Sequence, residues 1–395
     1  MQSPGPYILL YVTLYAAFGV ASPYWPKLFE SKGLAPEQIG WVLAAALLTR
    51  LAAGPLVARL ADMVASLRLV LASCIVVAAA AAAAYISADT FWLVLLIAIV
   101  QAAALAPTTS LADALTVSAA RPQMADKPFE YGWIRGAASA AFLAGTLIIG
   151  QLIGPGDLHP IIWINVMLLV MAAAATALLP RARLESAPVT DHSGLVAAKV
   201  RGLLKLPPFR IVIIVSALAY GSHALYDAFA VILWSAAGLQ PPVISALWAE
   251  AVAAEVVVFF LIGPWLVDRL GVRGAAMLAA VAGVVRWTAM GLTDSIAVLA
   301  ILQPLHGLTF ALLHLVCMRV IGNVVPPGLA ATAQALYSFG AGIVTAALTS
   351  LSGTLYTDYG GLTFLPMAAL CVIALLFAWR GFAHSQQQPA GMPAP

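Results

Sequence analysis

The feature that most constrains this chain is a recurring, predominantly apolar run of about 20 residues, the length a helix needs to cross a bilayer core. Twelve such runs follow one another, at roughly 6–28, 37–61, 68–87, 91–115, 131–153, 160–180, 209–235, 242–266, 274–292, 296–321, 330–353 and 361–380. Within lipid every backbone N–H and C=O must be paired inside the segment, so runs of this length are helices. Composition agrees: 63% of the residues are hydrophobic and 9% are charged, where a water-soluble domain carries about 25% charged residues. The expected fold class is an all-α polytopic membrane protein with twelve transmembrane helices, spans 1–12, in two pseudo-symmetric six-helix bundles.

The only long polar stretch, RARLESAPVTDHSGLVAAKVRGLLKLPPF, lies between spans 6 and 7. It divides the chain into an N-terminal bundle (1–180), a central loop (181–208), a C-terminal bundle (209–380) and a tail (381–395) expected to be disordered. Basic residues are strongly one-sided. Arg59, Arg68, Arg121, Lys127, Arg181, Arg183, Lys199, Arg201, Lys205, Arg269 and Arg273 fall in alternate connections, and only Lys27 and Lys32 fall in the others. By the positive-inside rule both termini and the central loop are cytoplasmic, in what is expected to be a bacterial inner membrane. The first residues lack the basic n-region of a cleavable signal peptide.

Several function classes find no support. Cys74, Cys317 and Cys371 all lie in apolar runs and build no disulfide framework. The net charge of +3 is spread over loops rather than gathered on one face, so nucleic acid is not an expected partner. The chain has no HExxH, no G-x-S-x-G and no paired-cysteine metal spacing, so neither an enzyme, a metal nor a cofactor is expected. The expected partners are the bilayer, a small organic solute and a proton, for a monomeric chain.

The halves resemble each other. LYAAFGV (14–20) is matched by LYDAFAV (225–231), and GPLVARLAD (54–62) by GPWLVDRLG (263–271), at nearly one offset and in the same order. Duplicated halves are the plan of secondary transporters. The second of these motifs, with Gly263, Asp268, Arg269, Gly271 and Arg273, resembles the signature loop of the major facilitator superfamily. The resemblance implies a cytoplasmic gate, in which the glycine lets helices approach and the acid and arginines latch one state. The first copy, with Gly54, Arg59, Asp62 and Arg68, is degenerate.

A charge at mid-bilayer costs about 2.5–3.5 kcal/mol on insertion scales, so ionisable residues inside spans are functional candidates. Glu255, Arg286 and His306 lie at comparable depth in spans 8, 9 and 10. Arg286 is expected to pair with Glu255, and His306 to titrate near neutral pH; a purely structural ion pair beside a histidine is the alternative. The acid, the arginine of GVVRW and the histidine of QPLHG resemble the constellation of lactose-permease-type proton symporters, which implies a proton and substrate coupling centre. Asp113 and Arg135 similarly resemble that group's substrate-holding pair. The group's second acid, one turn after the histidine, is replaced here by Thr309, leaving Glu255, Asp227 or His306 to carry the proton.

A closer resemblance covers nearly the whole chain. PYWPKLFESKGLAPEQIGWVLAAALLTRLAAGPL, LADAL, YGWIRGAAS, GSHALYDAF, VVRWTAMG and LHGLTFALLHLVCMR are similar to the 3-phenylpropionic acid transporter group of the same superfamily. That resemblance implies proton symport of a small aromatic carboxylate. A carboxylate calls for the planar fork of an arginine. Arg50 and Arg135 are the candidates, with Tyr24, Trp25, Tyr226 and Trp234 as aromatic walls and His314, Gln334 and Tyr337 adding polarity. His223 and Asp227, one turn apart in span 7, are expected to share a face toward a central cavity and to join the coupling residues; mutual neutralisation is the alternative. Symport of an oligosaccharide or nucleoside uses similar residues and stays open. So does proton-antiport drug efflux, suggested by GQLIGP (150–155).

Overall fold

The structure, a computed structural model, describes residues 4–64, 66–120, 131–154, 156–179 and 193–383. Arg121, Lys127, Arg181 and Arg183 fall outside them, as do the tail from residue 384 and the first part of the central loop. Within that loop Ser193–Leu204 is helical. The described residues are almost wholly helical, and their one β pairing is an isolated bridge between Gly154 and Asp157.

Eight helical stretches are long and apolar enough to cross a bilayer, or nine with the bent pair Gly5–Ala21 and Trp25–Ser31. Two of them, Pro241–Met290 and Pro327–Gly381, run to 50 and 55 residues, more than twice the length one crossing needs. Each turns back at a glycine with positive φ, Gly271 at 67° and Gly360 at 54°, a backbone region open mainly to glycine. Those glycines fall at the expected boundaries between spans 8 and 9 and between spans 11 and 12. Pro36–Val64, 29 residues long, covers the run expected for span 2, though it is not among these stretches. The helices accommodate the twelve-span reading.

Several spans are broken, and the sequence gives the reason. Span 1 bends by 45° across Ser22–Tyr24, where Pro23 cannot donate and Pro26 restarts the helix in its first turn. Span 4 stops at Leu105 and resumes at Thr108 around Pro107. Span 7 is interrupted between Gly221 and Ala224, and span 10 between Leu302 and the π-helical stretch Gly307–Leu312, the latter at Pro304. A second π-helical stretch, Val258–Ile262, lies in span 8.

The chain forms two compact units: Met1–Pro188 with Ala228–Ala249, and Val189–Asp227 with Glu250–Pro395. The first is cored by Leu10, Leu14 and Ala17 of span 1 against Ile75, Ala78, Ala138, Leu169 and Ala172. Small residues let these helices approach closely and bond through side chains: Asn165 donates to the Ala17 carbonyl at 2.8 Å and Thr146 to that of Gly19 at 2.9 Å. Also within this unit, Tyr24 donates to the Pro241 carbonyl at 3.0 Å and its hydroxyl lies 2.6 Å from Ser245 Oγ. The second unit is cored by Phe209, Val212, Ala275, Ala279, Leu312, Val316, Ala374 and Phe382. Trp92, Trp133, Phe260 and Ile301 are each more than 70% exposed; in a membrane protein such apolar surface meets lipid.

Candidate functional site

Each unit holds a polar cluster built from several of its helices. In the first unit span 1 presents Tyr11 and Tyr15 one turn apart, with rings stacked at 5.9 Å and 4°. Tyr11 donates to Asp113 Oδ1 at 2.5 Å, and Tyr131 donates to the same oxygen at 2.7 Å. Arg135 Nη1 lies 3.7 Å from that carboxylate oxygen and donates to Tyr15 Oη, with its guanidinium 5.3 Å over the Tyr15 ring. Asp113 and Arg135 are therefore brought together as expected, each held by phenol groups that the sequence did not flag.

Arg50 is different. Among the described residues its guanidinium has no hydrogen bond or ion pair. It opens on a cavity of about 300 Å³ lined by Tyr15, Phe18, Ser22, Leu105, Ala106, Thr109 and Phe142. The break at Pro107 is what turns Leu105, Ala106 and Thr109 toward this space. A fixed cation beside apolar and aromatic walls, with two hydroxyls at hand, suits a small anion that has an apolar body.

In the second unit the polar groups gather where spans 7 and 10 are interrupted. Arg286 and Gln303 are wholly buried. Arg286 Nη2 donates to Gln303 Oε1 at 3.0 Å, and Tyr226 donates to the same oxygen at 3.1 Å. Arg286 Nη1 lies 2.9 Å from His306 Nδ1. An arginine only donates, so Nδ1 is the acceptor and the His306 proton sits on Nε2, which points to Glu255 Oε2 at 3.6 Å. The guanidinium is also packed 4.5 Å from the ring centroids of both Tyr226 and Trp287.

This corrects one expectation. Arg286 does not pair with Glu255; among the described residues its partners are neutral, and two ring faces share its charge. The trio exists, but in the order Arg286–His306–Glu255, and Arg286 Nε and Gln303 Nε2 have no hydrogen-bond partner among the described residues.

His223 and Asp227 also part company. His223 is 4% exposed, with Nδ1 2.9 Å from the Ala219 carbonyl and Nε2 3.0 Å from Thr309 Oγ1. Its ring stands edge-on to Trp287 at 5.0 Å and to His306 at 5.3 Å. Asp227 is exposed, and its carboxylate pairs neither with His223 nor with any other described residue. The two do not neutralise each other. Trp234 is 1% exposed in the first unit, and Gln334 is exposed in the second.

Toward the far end of span 10, His314 Nδ1 lies 3.1 Å from Tyr337 Oη, and Tyr337 donates to Tyr220 Oη at 2.9 Å. Beyond these, Arg319 donates to Asp268 at 2.8 Å. That contact ties the signature loop to span 10, with Gly271 in its turn conformation.

Residues 7–367 match the MFS_1 like family. A probable 3-phenylpropionic acid transporter of Escherichia coli (strain K12) is 30% identical over 384 residues, covering 95% of this chain and 97% of that protein. A maltose permease of Geobacillus stearothermophilus is 24% identical over 331 residues, covering 84% and 82%. Among solved structures, nucleoside transporter NupG aligns with a TM-score of 0.86 at 17% identity, over 97% of this chain and 100% of that one. A bacterial homolog to the human lysosomal transporter Spinster aligns at 0.75 with 14% identity, over 98% of each chain. At these identities the structural likeness concerns the fold alone.

Proposed function

The chain belongs to the MFS_1 like family and is a membrane transporter of the major facilitator superfamily; from that premise we propose that it takes up a small aromatic carboxylate together with a proton, by alternating access. The observation that carries this reading is Arg50. A guanidinium within a bilayer-spanning helix, with no acidic partner among the described residues, calls for a counter-anion. The cavity it opens on is walled by Tyr15, Phe18 and Phe142, which suit an aromatic body. Arg135 is already balanced by Asp113 and serves as scaffold, or as a gate that releases Asp113 when the ligand enters. The similarity to a probable 3-phenylpropionic acid transporter of Escherichia coli supports the same class.

For the proton, the reading assigns Glu255. His306 accepts from Arg286 at Nδ1 and directs Nε2–H at Glu255. A second proton on His306 would set two cations nitrogen to nitrogen. Glu255 is thus the group free to gain and lose a proton while Arg286 stays in place. Asp227, exposed and without an ion pair among the described residues, is a further acid of the same unit. The expected orientation places both termini, and the Asp268–Arg319 contact, on the cytoplasmic side.

Uptake into proteoliposomes tests the proposal. With an imposed inward proton gradient, 3-phenylpropionate or cinnamate should accumulate, while maltose, galactosides and uridine should not. Accumulation that survives a protonophore would remove the proton from the scheme. Accumulation of a sugar or nucleoside in place of the acids would move the substrate to the other class.

A further inference from the structure

Spans 8 and 10 share an irregularity that the coupling trio alone does not need. Each turns π-helical just beyond its charged residue: span 8 at Val258–Ile262 after Glu255, and span 10 at Gly307–Leu312 after His306. The two helices approach backbone to backbone here, for a Cβ on Gly307 would stand 2.6 Å from the Ala254 carbonyl oxygen. π-helical turns are costly and are found mostly at functional positions.

Their consequence lies one step further along span 10. Eight residues of regular α-helix would turn His314 about 80° away from His306. The wider turns between Gly307 and Leu312 take up most of that offset, so both histidines look toward span 8. There the ring of His314 stands edge-on to Phe259, centroids 5.7 Å apart, and Phe259 is one turn beyond Glu255. Glu255 thus lies on the part of span 8 that both histidines approach, 3.6 Å from His306 Nε2 and one turn from the ring that meets His314.

The two histidines are not equivalent. His306 has its only acceptor nitrogen occupied by Arg286. For His314 the hydrogen bonds run the other way. Tyr220 donates to the Phe310 carbonyl at 3.4 Å and Tyr337 donates to Tyr220, so Tyr337 has no proton left for His314. The His314 Nδ1 must therefore carry the hydrogen and donate it to Tyr337 Oη. That leaves the Nε2 lone pair of His314 without a partner among the described residues.

We propose that His314 is the residue that relays the proton of Glu255 toward the Asp268–Arg319 end of span 10, with Tyr337 and Tyr220 holding it in the tautomer that can accept. The step moves one proton: the Glu255 carboxyl gives it through a bridging water to His314 Nε2, leaving a carboxylate and an imidazolium, and the imidazolium returns one proton to water. The titratable groups facing His314 are Glu255 from span 8, Tyr220 from span 7 and Tyr337 from span 11. Arg286 of span 9 and Asp268 of the signature loop before it are engaged at His306 and Arg319. The proposal rests on the reading of Glu255 as the proton carrier.

Infrared difference spectroscopy of the purified full chain in lipid nanodiscs tests it without any substrate. The protonated Glu255 carboxyl band is identified by its loss in E255Q, and its hydrogen–deuterium exchange is timed after transfer to deuterated buffer. Exchange should slow at least tenfold in H314Q and severalfold in Y337F, which frees the tautomer while keeping the imidazole. Unchanged exchange in H314Q, or in Y337F should H314Q not fold, overturns the relay. An absence of any Glu255 carboxyl band at every pH overturns both the relay and Glu255 as carrier. Failure of proton-driven uptake with normal exchange kinetics would instead count against the transport reading alone.

Discussion

Arg50→Gln is the substitution that separates a carboxylate anchor from a merely polar cavity wall. Arg50 offers a two-donor fork to the cavity and has no competing partner among the described residues. A hydrogen bond to a charged group contributes about 1.5–3 kcal/mol, and about 1.4 kcal/mol is tenfold in affinity. The cavity walls contributed by Phe18, Leu105 and Phe142 are apolar, so screening is limited on that side. The loss for a carboxylate ligand should therefore be roughly ten- to hundredfold. The control is the ligand rather than the protein: 3-phenyl-1-propanol has the same aromatic body without the charge. Titration calorimetry of both ligands against the protein in nanodiscs should show R50Q losing the acid and leaving the alcohol within about twofold. R50K keeps the charge but not the fork, and should fall between. If acid and alcohol weaken alike in R50Q, the cavity has been disturbed generally and Arg50 is not the anchor.

Three further outcomes follow from the packing and the hydrogen bonds. Gly307→Ala places a methyl 2.6 Å from the Ala254 carbonyl oxygen and 2.7 Å from Val258 Cγ2; overpacking of this kind costs about 1–3 kcal/mol, so the thermal midpoint should fall by several degrees, and an unchanged midpoint would mean the helices part easily. Thr309→Val removes the group facing His223 Nε2 in a site where both are under 5% exposed; leaving a buried nitrogen unsatisfied costs about 1–3 kcal/mol, and Thr309→Ser should restore most of the midpoint. Asp268→Asn breaks a pair whose side chains are 64% and 46% exposed. Such pairs contribute about 0–1 kcal/mol, so the midpoint should hold while the uptake rate changes severalfold; an unaltered rate would remove the latch role of this contact.

The apolar runs were legible because lipid leaves the backbone no alternative to the helix, and because proline and glycine mark its breaks. Depth was legible too: counting residues along spans 8, 9 and 10 placed Glu255, Arg286 and His306 at one level, and they do meet. The rotation of each helix about its axis was not legible. The π-helical stretches of spans 8 and 10 shift that rotation, and Arg286 reaches His306 and Gln303 instead of Glu255. The phenols around Asp113 were hidden for a different reason. Tyr11, Tyr15 and Tyr131 have the composition of interfacial aromatics, and only the fold brings the hydroxyls of Tyr11 and Tyr131 onto Asp113 and that of Tyr15 to Arg135. Spacing offered one hint, since Tyr11 and Tyr15 are a helical turn apart.

Thr309 reads differently once hydrogen-bond directions are followed. As sequence, it is the place where a symporter's acid is missing. In the structure its hydroxyl faces His223 Nε2, while His223 Nδ1 faces the Ala219 carbonyl, which only accepts. Nδ1 therefore carries a hydrogen. If Thr309 sent its own proton to the His306 carbonyl, 3.1 Å away, Nε2 would also have to donate, and His223 would be a buried cation beside Arg286. A neutral His223, with the Thr309 hydroxyl donating to Nε2, avoids that second charge in a site already holding one unpaired guanidinium. Threonine can supply the proton this arrangement needs; a carboxylate there would draw a proton onto His223 and form an ion pair instead. The exchange of acid for hydroxyl and the presence of His223 are thus one change, and it leaves Glu255 as the acid that faces His306. Thr309→Asp should accordingly convert His223 to imidazolium, visible as a shift of its ring nitrogens in nitrogen NMR. A neutral His223 spectrum in that variant would contradict the pairing.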